Sequence, residues 1–255
     1  MAGSRRVPEG PTPDPAVQKV RIRYAKRGRM RFTSTRDFQR ALERAVRRAG
    51  LPVAYSAGFH PHPKISYANA APTGAASEAE FVEVSLTRVL DPSSLVAPLD
   101  AALPEGLDVL EVGDSADLPG ALAEHLQGSL WEMRFRGGAE QAGRVEREGV
   151  RSAVAALLAA PELHVSRMMK KGARELDVRA AVVGLELAPG EDSGEERSGD
   201  VVLLVTLRHT TPTVRPAEVW TALRQVSGLD LPRPLATRLR QGPVLDGEVA
   251  ERLGG

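Results

Sequence analysis

In "VRIRY" apolar and polar residues alternate, with Val20, Ile22 and Tyr24 on one side of an extended chain and Arg21 and Arg23 on the other. That is the period of a strand buried on one face only. After a basic turn, "AKRGRMRF", the period changes: Phe38, Ala41, Leu42, Ala45, Val46 and Ala49 recur at helical spacing. Ser34 with Asp37 three residues later opens this helix, and Gly50 and Pro52 close it. "PVAYSAG" reads as a short strand leading into a long loop. "EFVEVSL" alternates again, with Val82, Val84 and Leu86 inward. "DPSSLVAPLDAAL" starts a helix at Asp-Pro, and "GLDVLEV" is a closing strand.

A Gly/Asp/Pro-containing link from Gly113 to Gly128 follows, and a similar order begins again. "LWEMRFRG" is a strand with Trp131, Met133 and Phe135 inward, and "REGVRSAVAALLAA" is a helix. "LHVSRMM" and "RELDVRAAVVGLEL" are two strand-like pieces. "DVVLLVTLRH", "RPAEVWTALRQV" and "PLATRLRQG" give strand, helix and a closing strand. The expected class is α+β, two tandem ferredoxin-like (βαββαβ) lobes, at residues 18–113 and 129–242. Residues 1–17 and 243–255 are expected to be tails. Each lobe covers one sheet face with helices and leaves the other free, so Arg21, Arg23, Glu83 and Ser85, and Glu132, Arg134 and Arg136, are expected on that free face. Cross-strand Arg/Glu pairing is the bland use of such residues.

Composition narrows the chemistry. The 255 residues are 42% hydrophobic and 26% charged, which is ordinary for a globular chain. No apolar run reaches membrane-spanning length, and "MAGSRRVPEGPTPDP" lacks the apolar core of a signal peptide, so a cytoplasmic protein with no membrane association is expected. There is no cysteine, which excludes disulfides, catalytic thiols, thiolate zinc sites and cysteine-held iron–sulfur clusters. A net charge of +1 hides an asymmetry: twelve basic residues lie between Lys19 and Arg48 against Asp37 and Glu43.

The stretch "YSAGFHPHPKISYANAAPTG" carries the densest chemistry. Pro61 and Pro63 hold His60, His62 and Lys64 in extended geometry, so this loop suits recognition at low entropic cost. The residues expected to meet a substrate or partner are Ser56, Gly58, Phe59, His60, His62, Lys64 and Ser66. Two histidines do not make a metal site, and His125, His164 and His209 are scattered, so neither metal nor cofactor is expected. An alternative is acid–base cleavage or modification of RNA by His60 or His62, with Lys64 or Tyr67 steadying phosphate charge. Lys26, Arg27, Arg29 and Arg31 in the basic turn are candidate phosphate contacts, as are Lys170, Lys171 and Arg174 around Gly172. The paired sheet aromatics of an RNA-recognition motif are absent from the sequence.

The segment from Arg29 to Leu86 resembles the radical-SAM-associated bacterial family DUF2344, a domain found alone or at the C-terminal end of B12-binding-type radical SAM proteins. The resemblance rests on Ser56, Gly58, Phe59, His60, Pro61, His62, Pro63, Lys64 and Ser66, then Gly74, Ser77, Glu78 and Glu80, and it extends through "KKGARELDVR" and "TVRPAEVW". It implies a partner, a separate radical SAM protein, in a setting that includes RNA and ribosomal components. A chain without cysteine cannot hold that enzyme's cluster. The resemblance therefore implies a non-catalytic accessory protein that binds RNA or a ribonucleoprotein.

Overall fold

Asp37 donates its backbone N–H to the Ser34 hydroxyl at 3.2 Å, which starts the first helix where the capping pattern places it. The computed structural model describes residues 13–136, 147–170, 172–189 and 200–250. Within them the fold is α+β, with six helices and a large mixed sheet. The described residues divide into two compact units, 13–70 with 80–122, and 71–79 with 123–250. The boundary thus departs from the contiguous halves expected from the sequence, because residues 71–79 belong to the second unit.

The first unit contains β1 (Gln18–Lys26), α1 (Thr35–Arg48), β2 (Ile65–Ala68), most of β3 (Ala76–Leu86), α2 (Val96–Ala102) and β4 (Leu107–Asp114). Its strands lie in the order β4-β1-β3-β2. Phe38, Leu42 and Val46 of α1 bury against Val20, Ile22 and Tyr24 of β1, Val82 and Val84 of β3, and Leu99 of α2. Tyr24 stacks on Phe38 at 4.4 Å between ring centroids, and Tyr67 of β2 meets Phe38 edge-on.

The second unit contains α3 (Leu122–His125, its first residue in the first unit), β5 (Gly128–Phe135), α4 (Arg147–Ala159), β6 (His164–Met169), β7 (Gly172–Asp177) and α5 (Val178–Ala181). It continues with β8 (Val182–Leu187), β9 (Val201–Arg208), α6 (Pro216–Ser227), β10 (Leu235–Gly242), β11 (Val244–Leu245) and β12 (Glu248–Val249). Its antiparallel strands run β10-β5-β9-β8, and the start of β3 joins β10 in parallel through Thr237 and Arg238. Met133, Phe135, Leu157, Leu203 and Leu223 are fully buried in its core.

Three expectations change. The residues after Gly242 are not simply a tail, because β11 and β12 pair and Val249 is buried; residues 1–12 of the other expected tail lie outside the described residues. "LHVSRMM" and the start of "RELDVRAAVVGLEL" pair with each other as β6 and β7 in a separate two-stranded sheet. Asp177 caps α5, with its carboxylate accepting from the N–H of Ala180, and this cap ends β7 and separates it from β8.

The third change concerns the sheet face expected to be free. Arg21 is 1% exposed, Glu83 5% and Ser85 8%. Arg21 Nε donates to Glu83 at 3.2 Å, Nη1 to the Leu118 carbonyl at 2.7 Å and Nη2 to the Gly120 carbonyl at 2.8 Å. The segment after β4 therefore covers this face and uses the guanidinium as its anchor. Lys19 adds a second cation to Glu83 at 3.2 Å. In the second unit Arg134 pairs with Glu132 and Asp200, all half-buried, so these residues serve the sheet. Arg136 is exposed.

Candidate functional site: a hydrogen-bonded finger

The proline-histidine stretch is a β-hairpin. Ala54 donates its N–H to Ser85 of β3, Ser85 donates to Lys64, and Lys64 donates to Ala54, each at 2.8–3.0 Å. Farther out Tyr55 opposes Pro63, Ser56 donates to the His62 carbonyl at 2.8 Å, and the Ser56 hydroxyl accepts the His62 N–H at 3.0 Å. Pro61 and Pro63 have no N–H to give, so the ladder uses the donors of Ser56, His62 and Lys64. Gly58, at φ +129°, takes the backbone through the turn. What reads from sequence as an unpaired loop is thus a finger with a paired base and a tip from Ala57 to Pro61.

Cross-strand partners share a face. Tyr55 lies with Pro63 on one face, and His62 and Lys64 lie on the other. Phe59 sits at the tip, 62% exposed, and Tyr55 is 38% exposed. Gly58, His60, His62, Lys64 and Ser66 are exposed, and Ser56 is half-buried. Among the described residues no carboxylate pairs with His60, His62 or Lys64.

Tyr67 does not belong to this group. It lies on the opposite face of β2 from Ser66, packed into the core, and its hydroxyl is buried with no hydrogen-bond partner among the described residues. Burial, with the Glu43 carboxylate adding to it, pushes this phenol well above its usual range.

The basic turn lies at the other end of β1. Val17 donates to the Leu86 carbonyl at 2.8 Å, which puts the start of β1 beside the finger's base. Arg27, just past the end of β1, donates its N–H to Gly106 at 2.8 Å. Nine residues of strand at about 3.3 Å each put about 30 Å between these ends. The turn and the finger's base therefore lie at opposite ends of β1.

The turn itself is largely engaged. Lys26 is 6% exposed, and Arg27 pairs with Asp108 at 2.9 Å. Arg31 is half-buried and has a partner. Arg29 alone of the four is both exposed and without an ion pair among the described residues. The site for the turn is tight: a side chain on Gly106, at φ +85°, would meet the Arg27 carbonyl at 2.9 Å.

Other exposed cations of this unit precede the finger in the chain, on α1. Its last two turns carry Arg44, Arg47 and Arg48, all exposed, and the chain passes from there through Gly50 and Pro52 into Val53. Arg48 also donates to the Ala102 carbonyl at 3.3 Å. Cations in a last helical turn favour the helix itself.

In the second unit the β6–β7 hairpin presents Met168, 78% exposed, with Met169, Lys170 and Arg174 near its tip; Lys171 lies outside the described residues. Its base is fixed by buried Val165 and Leu176, and Arg167 pairs with Glu218 at 3.3 Å.

One arrangement escaped the sequence reading. Ser129 Oγ lies 2.7 Å from His209 Nε2, and His209 Nδ1 lies 2.6 Å from the Leu126 carbonyl. A carbonyl only accepts, so Nδ1 carries the proton and Nε2 accepts from the serine. The order resembles a nucleophile with its base, but Ser129 is 0% exposed and offers no access to a substrate. The pair ties the start of β5 to the chain beyond β9. Burial lowers the imidazole to about 4, with nearby Arg238 adding to it and the Leu126 carbonyl opposing. Among the described residues no three His, Asp or Glu side chains gather to hold a metal ion, and no helix is long and apolar enough to cross a membrane.

The profile of DUF2344, an uncharacterized protein conserved in bacteria, matches residues 19–216. The chain belongs to that bacterial family. The matched span takes in the finger, α1 and the β6–β7 hairpin. No curated protein matches the chain.

Proposed function

We propose that the protein is a non-catalytic accessory protein that binds RNA or a ribonucleoprotein and docks a radical SAM enzyme. The observation that carries the binding half is the finger: a hydrogen-bonded hairpin that presents an exposed ring, two imidazoles and a lysine, with no carboxylate paired to them among the described residues. The docking half rests on the family resemblance and on the absence of cysteine, which leaves cluster chemistry to a partner. The strand orders β4-β1-β3-β2 and β10-β5-β9-β8 support reading each unit as ferredoxin-like, with the β6–β7 hairpin inserted in the second.

The competing reading, an RNA-cleaving or RNA-modifying enzyme, asks His60 or His62 to act with Lys64 and Tyr67. Tyr67 is turned into the core, and among the described residues no side chain orients either imidazole, as a general base requires. Incubation with total RNA in EDTA separates the two. The accessory reading expects bound, intact RNA for the wild type and for His60→Ala/His62→Ala. Cleavage that disappears in the double variant would establish the enzyme instead. Because phosphate contact releases counterions, affinity should fall as salt rises, and Lys64→Ala should flatten the log–log slope by about 0.7 for a single strand. A slope unchanged in Lys64→Ala would remove the lysine from the interface.

A further inference from the structure

We infer that the finger takes unpaired RNA, with a base stacked on Phe59, in preference to duplex; this rests on the RNA-binding reading above. A single exposed phenylalanine is ordinary on a protein surface and needs no ligand to explain it. Here the ring lies in the tip segment that joins the hairpin's paired strands, outside the buried cluster of its unit. Tyr55, the finger's other aromatic, is also exposed. The backbone that carries them is held by the hydrogen bonds of Ser56, His62 and Lys64, so presenting the rings requires little further ordering.

A phenyl ring has only its face and edge to offer, and neither donates nor accepts a conventional hydrogen bond. Its gain from RNA comes from stacking, which needs a base with an open face. In a duplex those faces are covered by neighbouring pairs, and the A-form major groove is too deep and narrow for side chains to read. The cations fit the same ligand. His62 and Lys64 are two residues apart on an extended strand and so share a face, at a spacing of about 6.6 Å. That is close to the separation of successive phosphates along an extended single strand. Arg44 and Arg47, exposed on α1 a few residues before the finger in the chain, are further cations of the same unit. Because every base has a π-face, such a site tolerates sequence while it discriminates strand state.

The test uses the full chain and a fluorescein-labelled RNA of mixed sequence without self-complementarity, alone and annealed to its complement, with affinity read by anisotropy. The wild type should bind the single strand more tightly. Phe59→Ala should weaken single-strand binding about tenfold, Phe59→Trp should restore it, and duplex affinity should stay unchanged in both. The salt slope should be the same in wild type and Phe59→Ala, since stacking releases no counterions. Phe59→Trp emission should be quenched by the single strand. Equal affinity for duplex and single strand, or no effect of Phe59→Ala, would overturn the preference while leaving RNA binding in place. Failure to bind either RNA would overturn the RNA-binding reading and this inference with it.

Discussion

Replacing Arg21 by methionine is expected to lower the free energy of unfolding by about 3–5 kcal/mol, the cost of breaking a buried ion pair from one side. The guanidinium is 1% exposed and each of its nitrogens has an acceptor: Glu83, Leu118 and Gly120. Removing it leaves two carbonyls without this donor and the 5% exposed Glu83 with Lys19, whose side chain is 56% exposed, as its cation among the described residues. Arg21→Lys should recover little, because an ammonium cannot span three acceptors that a planar fork meets at once. The decisive comparison is Arg21→Met combined with Glu83→Met. If the penalty is an uncompensated buried charge, the pair of substitutions should be more stable than Arg21→Met alone. Urea unfolding at neutral pH, with unchanged slope, measures all three. An Arg21→Met protein within about 1 kcal/mol of wild type would mean that water reaches Glu83 and that the segment after β4 is not held as described.

Arg21 also marks the limit of what could be read from the chain alone. The alternation in "VRIRY" identified Val20, Ile22 and Tyr24 as core, and they are. The helical spacing and Ser34 cap of α1, the Asp91 start before α2, and the apolar face of β5 were equally legible, because each depends on neighbours within a few residues. What covers the polar side of β1 is not local. The acceptors of Arg21 are 62, 97 and 99 residues away, and no period in the strand announces them. The basic turn misled for the same reason. Its cations are visible in sequence, but Asp108, which pairs with Arg27, is 81 residues distant.

The finger was half legible. Two prolines around His62 indicate extended backbone, but they say nothing about which residues pair with it. The partners, Tyr55 and Ser56, sit in "PVAYSAG", whose sequence indicates a short strand but not what it pairs with. In the β6–β7 region the strand character of both pieces is readable, whereas their pairing with each other and the Asp177 cap that ends β7 are not. Counting charge therefore pointed to the densest cluster of cations, and the structure moves attention to the cations left unneutralised.

Acidification should cost the protein about 3 kcal/mol through His209 alone, most of it between pH 6.5 and pH 4. The ring's usual value of 6.5 applies to the unfolded chain, and burial lowers it to about 4 in the fold. Above pH 6.5 both states hold the neutral ring and the stabilisation is fully present. As the pH falls the unfolded chain takes up its proton first, so stability drops until the folded ring also protonates near 4, and below that there is no further loss from this group. A gap of about 2.5 units at 1.36 kcal/mol each gives the stated size. The structural reason is burial: the neutral ring is satisfied by the Leu126 carbonyl and the Ser129 hydroxyl, whereas protonation would place a charge in a largely desolvated site near the Arg238 guanidinium. His209→Gln should be less stable at pH 7 yet lose about 3 kcal/mol less than wild type on going to pH 4, with the carboxylates common to both proteins cancelling in the difference. Unfolding curves across that range give the comparison, and the ring proton resonances of His209 report its midpoint directly. A midpoint near 6.5, or parallel pH profiles for the two proteins, would show that the imidazole is solvated and that the Ser129 contact does not lock β5 to the chain beyond β9.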